Sequence, residues 1–265
     1  MRFADYAGLP GVNWSTLKHM LQSPRHYRHA LSRGADDTTS RLVGRALHAC
    51  ALQPELYSLD YIVWTGGDRR GKAWTDFQAE HAGSTILRQV ESDAVDAQVI
   101  ALQSHPVAGP MLATSTHREH ALQWVDPATG IACKGLVDLG GPFGIADLKG
   151  GPSLDLFERW LIREGYHLQL AFYRRGWAAT FGEVPACHLI GVERNAPHDV
   201  GVFELDDTLL TIADREIDRL LRTLAACRES DTWPGRYPAA HTVHAPTWMI
   251  DPDRVESDDE DLEAE

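Results

Sequence analysis

The sequence predicts an α/β fold: a central mixed β-sheet flanked by helices, preceded by a helical lobe and followed by an acidic, disordered tail. Three observations predict it. Apolar residues recur at helical spacing through much of the first hundred residues and again after residue 154. Residues 119 to 149 instead read as strands and are interrupted twice by turn residues. No linker-like run of Ser, Gly or Pro divides the middle, so the 265 residues are expected to form one domain over 1–250. Within it, a mainly helical lobe covers 1–110, a catalytic α/β core 115–228 and an irregular strap 229–250, with the acidic tail at 251–265.

Taken in order, Asn13 or Ser15 caps a helix with Leu17, Met20 and Leu21 at helical spacing. Ser23-Pro24 interrupts it, and Pro24 suits the first position of a short second helix bearing Tyr27 and Leu31. This stretch is locally basic, because Lys18, Arg25, Arg28 and Arg33 outweigh Asp5; phosphate contacts and a solvated helix face both fit it. From Arg41 to Leu52 nearly every residue is apolar or small, a buried helix with His48 inside it. A lone histidine there is either a hydrogen-bonded core residue or a ligand. Between Trp64 and Trp74, three glycines stand beside Arg69, Arg70 and Lys72. That is a basic loop suited to a phosphate backbone, or an ordinary charged surface. Residues 84–104 read as one amphipathic helix carrying Ile86, Leu87, Val90, Val95, Val99 and Leu102. A strand over 119–125 ends in the turn Asp126-Pro127-Ala128-Thr129-Gly130, residues 131–139 pair back, and Gly140-Gly141-Pro142 leads to a third strand over 144–149. Helices over 154–163 and 166–181, strands over 186–193 and 200–205, and an amphipathic helix over 208–227 follow. The Pro- and His-rich segment 233–248 reads as an irregular strap.

Composition narrows the functional classes. There is no continuous apolar run of membrane-spanning length and no signal-peptide pattern, so a cytoplasmic location without membrane contact is expected. Cys50, Cys133, Cys187 and Cys227 are scattered singly, signalling neither a zinc site nor a disulfide framework. The net charge is −13. Residues 251–265 hold nine acids against Arg254, so the tail carries −8 and the other 250 residues only −5. Such a tail is a solvated end, a mimic of nucleic acid or a docking segment for a partner.

The chemistry concentrates at Gly144-Ile145-Ala146-Asp147-Leu148-Lys149. On a strand, Asp147 and Lys149 project together while Leu148 points into the core. Asp138 ends the preceding strand, so the two acids are expected to meet across adjacent strands. Two oxygen donors and a lysine at one water-accessible point suit a hard divalent cation and a polarised water, the equipment for cutting a phosphodiester. Glu119 begins the first strand nearby, although a glutamate at a strand end is usually only solvated. Gln169 and Tyr173, four residues apart, share one helical face.

This ordered set resembles the PD-(D/E)XK nuclease superfamily, in its RecB-like and lambda-exonuclease-like branch, with exonuclease VIII (RecE) nuclease domains as the nearest likeness. The matching segments are Trp14-Ser15-Thr16-Leu17 with Ser23-Pro24, Gly44-Arg45-Ala46-Leu47-His48-Ala49, Cys133-Lys134-Gly135, Asp147-Leu148-Lys149, His167-Leu168-Gln169-Leu170-Ala171-Phe172-Tyr173 and the strand ending at Glu193. Together they span roughly residues 10–205. Two departures stand out: Leu136 replaces a frequent arginine, and Gly150-Gly151 follows the lysine where Thr or Ser is usual.

The resemblance implies a restriction-endonuclease-like core holding Mg2+, with Mn2+ able to substitute. Asp138, Asp147 and the Leu148 backbone carbonyl are the implied ligands, with His48 at the metal and Glu119 beside it directly or through water. Lys149 would orient or deprotonate the attacking water, its pKa lowered by burial and a neighbouring cation, while the carboxylates keep low pKa values once metal is bound. Gln169 and Tyr173 would brace the lysine, the scissile phosphate or the adjacent base. DNA contacts are assigned to Arg69, Arg70, Lys72, Lys134 and Arg174. The implied activity is an Mg-dependent exodeoxyribonuclease that resects linear double-stranded DNA in phage-like recombination, as a homo-oligomeric ring working with a single-strand annealing protein. The alternatives are a single-strand-trimming RecB-like nuclease, whose usual four-cysteine cluster the dispersed cysteines do not suit, and a catalytically silent DNA-binding or partner-docking protein.

Overall fold

The computed structural model describes residues 3–32, 39–151, 153–237, 239–246 and 249. Two short helices, α1 (Phe3–Gly8) and α2 (Trp14–Leu17), open the chain, and α2 runs into a 3₁₀ turn at Lys18–Leu21. Asn13 is the cap of α2: its Oδ1 accepts the Thr16 N–H at 3.0 Å. Pro24 opens α3 (Pro24–Ser32), where its missing N–H leaves no helical bond unmade. The N-terminal half continues through α4 (Thr39–Leu52), α5 (Pro54–Asp60), β1 (Tyr61–Trp64), α6 (Gly71–Glu80), β2 (Thr85–Arg88), α7 (Gln89–Ser104) and α8 (Ala108–Thr114). The core follows as β3 (His117–Val125), β4 (Ala132–Gly141), β5 (Gly144–Gly151), α9 (Phe157–Arg163), α10 (Tyr166–Phe181), β6 (Cys187–Glu193), β7 (Val200–Glu204) and α11 (Asp207–Ser230).

The main sheet has the order β3-β4-β5-β6-β7. Its β5–β6 pairing is parallel and the others are antiparallel. A parallel step needs a crossover, and α9 with α10 supplies it. The central strand β5 is covered on both faces. Ile145 packs with Leu170, Phe172 and Leu220 of α10 and α11. Ala146 and Leu148 pack on the other side with Leu47, Leu102 and Leu112 of α4, α7 and α8. Arg175 ties α10 to α11 through Asp214 at 2.7 Å and Asp218 at 2.8 Å.

Several sequence expectations change here. Residues 84–104 are not one helix, since Thr85–Arg88 pairs in parallel with β1 and the helix starts at Gln89. The Glu91 carboxylate explains the boundary: it accepts the Arg88 N–H at 2.8 Å, a capping contact that competes with extending the helix upstream. Strand β1 and helices α5, α6 and α8 are additions in segments too short for periodicity to reveal. The helix expected from residue 154 begins at Phe157. The strap is anchored at its start, where Trp233 stacks on Tyr27 with centroids 6.0 Å apart. The acidic tail lies outside the described residues. No described helix is long and apolar enough to cross a membrane. All four cysteines are free.

Candidate active site

The sheet is irregular in one row, and the acids occupy that row. Strand β3 pairs with β4 at Arg118↔Leu139 and His120↔Val137, so Glu119 falls opposite Asp138 without joining the ladder. Glu119 has φ +45°, the left-handed region that a non-glycine residue seldom adopts. Val137 packs toward α10 and α11, whereas Leu139, two residues on, packs toward α4 and α8. Residues i and i+2 of a regular strand share a face, so β4 changes face at Asp138. Pairing of β4 with β5 stops at Leu139↔Ala146, leaving Asp138 opposite Asp147. The Leu148 N–H donates to Asp138 Oδ2 at 2.7 Å instead of to a ladder carbonyl. Glu119, Asp138 and Asp147 therefore lie in one row across three strands.

Two helices close on this row. From α4, His48 Nδ1 lies 3.6 Å from Glu119 Oε1 and 3.5 Å from Asp138 Oδ2. One donor atom from each of these three residues falls within 4.8 Å of the others, a spacing suited to a shared metal ion. From α10, Gln169 Nε2 donates to Asp147 Oδ1 at 2.8 Å and to the Tyr173 hydroxyl at 3.1 Å. Gly135 lets the Tyr173 ring approach, since a Cβ there would stand 2.8 Å from it. Asp147 Oδ2 is buried and lies 2.6 Å from Lys149 Nζ, an ion pair. Of the Lys149 side chain, 18% remains exposed, so the site opens to solvent there.

Charge coupling is strong. Burial opposes a charged His48, yet Asp138 and then Glu119 outweigh it and raise the imidazole to about 9. Burial, followed by the Asp147 charge, raises Asp138 to about 7 against the pull of His48. Burial works to lower Lys149, but Asp147 and Asp138 outweigh burial and raise it.

His48, Glu119, Asp138, Asp147, Lys149, Gln169 and Tyr173 thus converge, with Gln169 on Asp147 rather than on the lysine. The residues assigned to DNA are placed differently. Lys134 is buried, and its Nζ donates to the carbonyls of Tyr6, Ala7 and Leu9 at 3.2, 3.0 and 2.6 Å, so it anchors the end of α1 instead of facing DNA. Arg174 is likewise engaged within the fold, by Asp207 at 3.3 Å and the Pro185 carbonyl at 3.2 Å. In the glycine-rich loop and α6, Arg70 pairs with Asp68 at 2.5 Å and Lys72 with Asp76 at 2.6 Å. Arg69 donates to the Ile86 carbonyl at 2.7 Å and sits over Trp74. Sequence reasoning overlooked Tyr166, whose ring faces Lys149 Nζ with the centroid 4.8 Å away. Its spacing of three residues before Gln169 was the available signal.

Residues 13–245 match a family described as a PDDEXK-like domain of unknown function, DUF3799. The chain belongs to that family. Its architecture, a five-stranded mixed sheet flanked by helices, is the PDDEXK-like nuclease fold. A candidate exonuclease from Eubacterium rectale superposes with a TM-score of 0.59 at 13% identity, over 95% of this chain and 96% of that one. A phage-related exonuclease from Haemophilus somnus 129PT gives a TM-score of 0.34 at 12% identity, over 86% of this chain and 100% of that one. No curated protein sequence matches significantly.

Proposed function

We propose that this DUF3799 protein is a divalent-metal-dependent exodeoxyribonuclease, of the RecE kind, that resects linear double-stranded DNA for recombination. The observation that carries the reading is the row Glu119, Asp138 and Asp147, flanked by His48 and Lys149 where the ladder is interrupted. The donor set fits a metal: three donors of His, Glu and Asp type stand together. Carboxylate oxygens suit Mg2+, and the imidazole makes Mn2+ an equally good occupant. His48, Glu119 and Asp138, whose donor atoms stand together, would hold it together with Asp147, and the Leu148 carbonyl adjoins. When bound, such a cation supplies Lewis-acid polarisation of the phosphate and a more acidic water.

The chain's own residues do the rest. Lys149 is held as an ammonium by Asp147, so it orients the attacking water and offsets the negative charge that develops on the phosphate. Gln169 fixes the Asp147 carboxylate, and Tyr173 fixes Gln169. Water adds to phosphorus and releases one proton to solvent, the bond to the leaving oxygen breaks, and that oxygen takes up a proton from solvent. Assembly as a ring with a DNA channel, and cooperation with an annealing protein, complete the proposal by analogy with the family likeness.

End-labelled linear and circular DNA, with Mg2+ or Mn2+, test it. The linear duplex should be shortened from an end, the circle should resist, and Lys149→Ala should abolish cleavage while retaining DNA binding. Intact linear duplex in both metals would leave the silent DNA-binding alternative standing.

A further inference from the structure

Lys149 is gripped by more than its acid. The Tyr166 ring centroid lies 4.8 Å from Nζ, within the range in which an aromatic face attracts a cation. Trp160 meets Tyr166 edge to face, with centroids 5.4 Å apart and planes at 85°. Trp160 in turn presses on β5 where Gly151 has no side chain, since a Cβ there would be 3.0 Å from its Cζ3. Phe157 backs Trp160 at 5.6 Å. Tyr166, Gln169 and Tyr173 have the spacing of one helical face, so α10 holds both partners of the Asp147–Lys149 pair at once. Gly151, the second glycine after the lysine, thus admits the tryptophan that sets the tyrosine.

We propose that Tyr166, backed by Trp160 against Gly151, is a positioning residue for Lys149, its ring holding the ammonium by cation–π attraction. This rests on the nuclease reading above. A carbonyl or second carboxylate in that position would accept one of the ammonium hydrogens and neutralise more of its charge. A ring face attracts the cation through its quadrupole and carries no net charge, so the ammonium keeps its charge for the phosphate oxygens.

The test compares Tyr166→Leu, which removes the ring, with Tyr166→Phe, which keeps it. On linear duplex DNA with Mn2+, Tyr166→Leu should lower kcat about three- to thirty-fold, the range of such a contact. KM and Mn2+ affinity should stay within about twofold, as for a contact that serves the chemical step. Tyr166→Phe should restore turnover. An unchanged kcat in Tyr166→Leu, or an equal loss in Tyr166→Phe, overturns the proposal. A second readout does not depend on cleavage. The Lys149 ε-methylene NMR signal, identified by its disappearance in Lys149→Ala, should be shifted upfield by the ring in the wild type and in Tyr166→Phe. An ordinary shift in the wild type overturns the proposal even if Tyr166→Leu does not fold. Should the wild type hydrolyse no DNA, the nuclease reading fails, and the NMR signal still decides whether the ring holds the lysine.

Discussion

Glu119 concentrates the conformational cost of the site in one residue. A non-glycine residue in the left-handed region costs about 1–2 kcal/mol, and Glu119 adopts φ +45°. The return is direction, because its carboxylate reaches His48 from a strand whose regular geometry would aim it elsewhere. Replacing it by glycine should therefore give a more stable protein than replacing it by alanine, by about 1 kcal/mol in urea unfolding. That order is the reverse of the usual strand preference. The coupled pair makes a second prediction. His48 is raised to about 9 and Asp138 to about 7, so a cation entering among them must displace protons. Affinity for Mn2+ should rise as pH climbs from about 6 to about 9, with protons released on binding. Calorimetry in buffers of different ionisation enthalpy measures that release, and a pH-independent affinity would contradict it. At this scale the sequence was informative about residue types, whereas the balance of charges around each group is a matter of packing. Lys149 is raised because Asp147 and Asp138 face it and outweigh its burial.

At the scale of elements, β4 and β5 do two jobs. They are core strands along most of their length, but the Asp138 carboxylate takes the Leu148 N–H and ends their ladder where the acids gather. Lys134, also on β4, binds three carbonyls near the end of α1 and lies 5.0 Å from the Tyr6 ring centroid. Lys134→Met should lower stability by about 1–3 kcal/mol, the worth of charged hydrogen bonds. It should leave the salt dependence of DNA binding unchanged, because no phosphate contact is lost. A shallower salt slope would return Lys134 to the DNA surface. Strands β3 to β7 and helix α10 were legible because their periodicity and turn residues agree. Strand β2 was not. Its four residues continue smoothly into a helical pattern, and only the Arg88–Glu91 cap and the pairing with β1 separate them.

The whole molecule is acidic, with a net charge of −13. Nine acids and one arginine in residues 251–265 give −8 of that, so removing the tail leaves −5. Deletion should speed association with DNA at low salt by about tenfold or more, an effect that fades as salt screens it. Stopped-flow measurement at two ionic strengths checks this, and an unchanged rate would detach the tail from DNA access. The cations near the glycine-rich loop do not supply a compensating free patch. Arg70 and Lys72 each have an acid within 2.6 Å, and a pair like this nets no charge however basic the run looks in sequence.

By itself the sequence determined the order of the core elements from β3 to α11, the family likeness and the residue types of the candidate site, because those depend on residue type and local spacing. His48, Glu119 and Asp138 lie far apart along the chain, and nothing local requires them to share one point. Tertiary structure decided that. The register of β3 on β4 sets Glu119 against Asp138, the interrupted ladder turns Asp138 toward Asp147, and α4 brings in His48. It also decided that the two glycines after Lys149 keep their place in β5, paired with Val192 and Glu193 and packed close to Leu47 and Trp160. Close approach between distant segments is invisible in one dimension, and in this site it determines where the lysine stands.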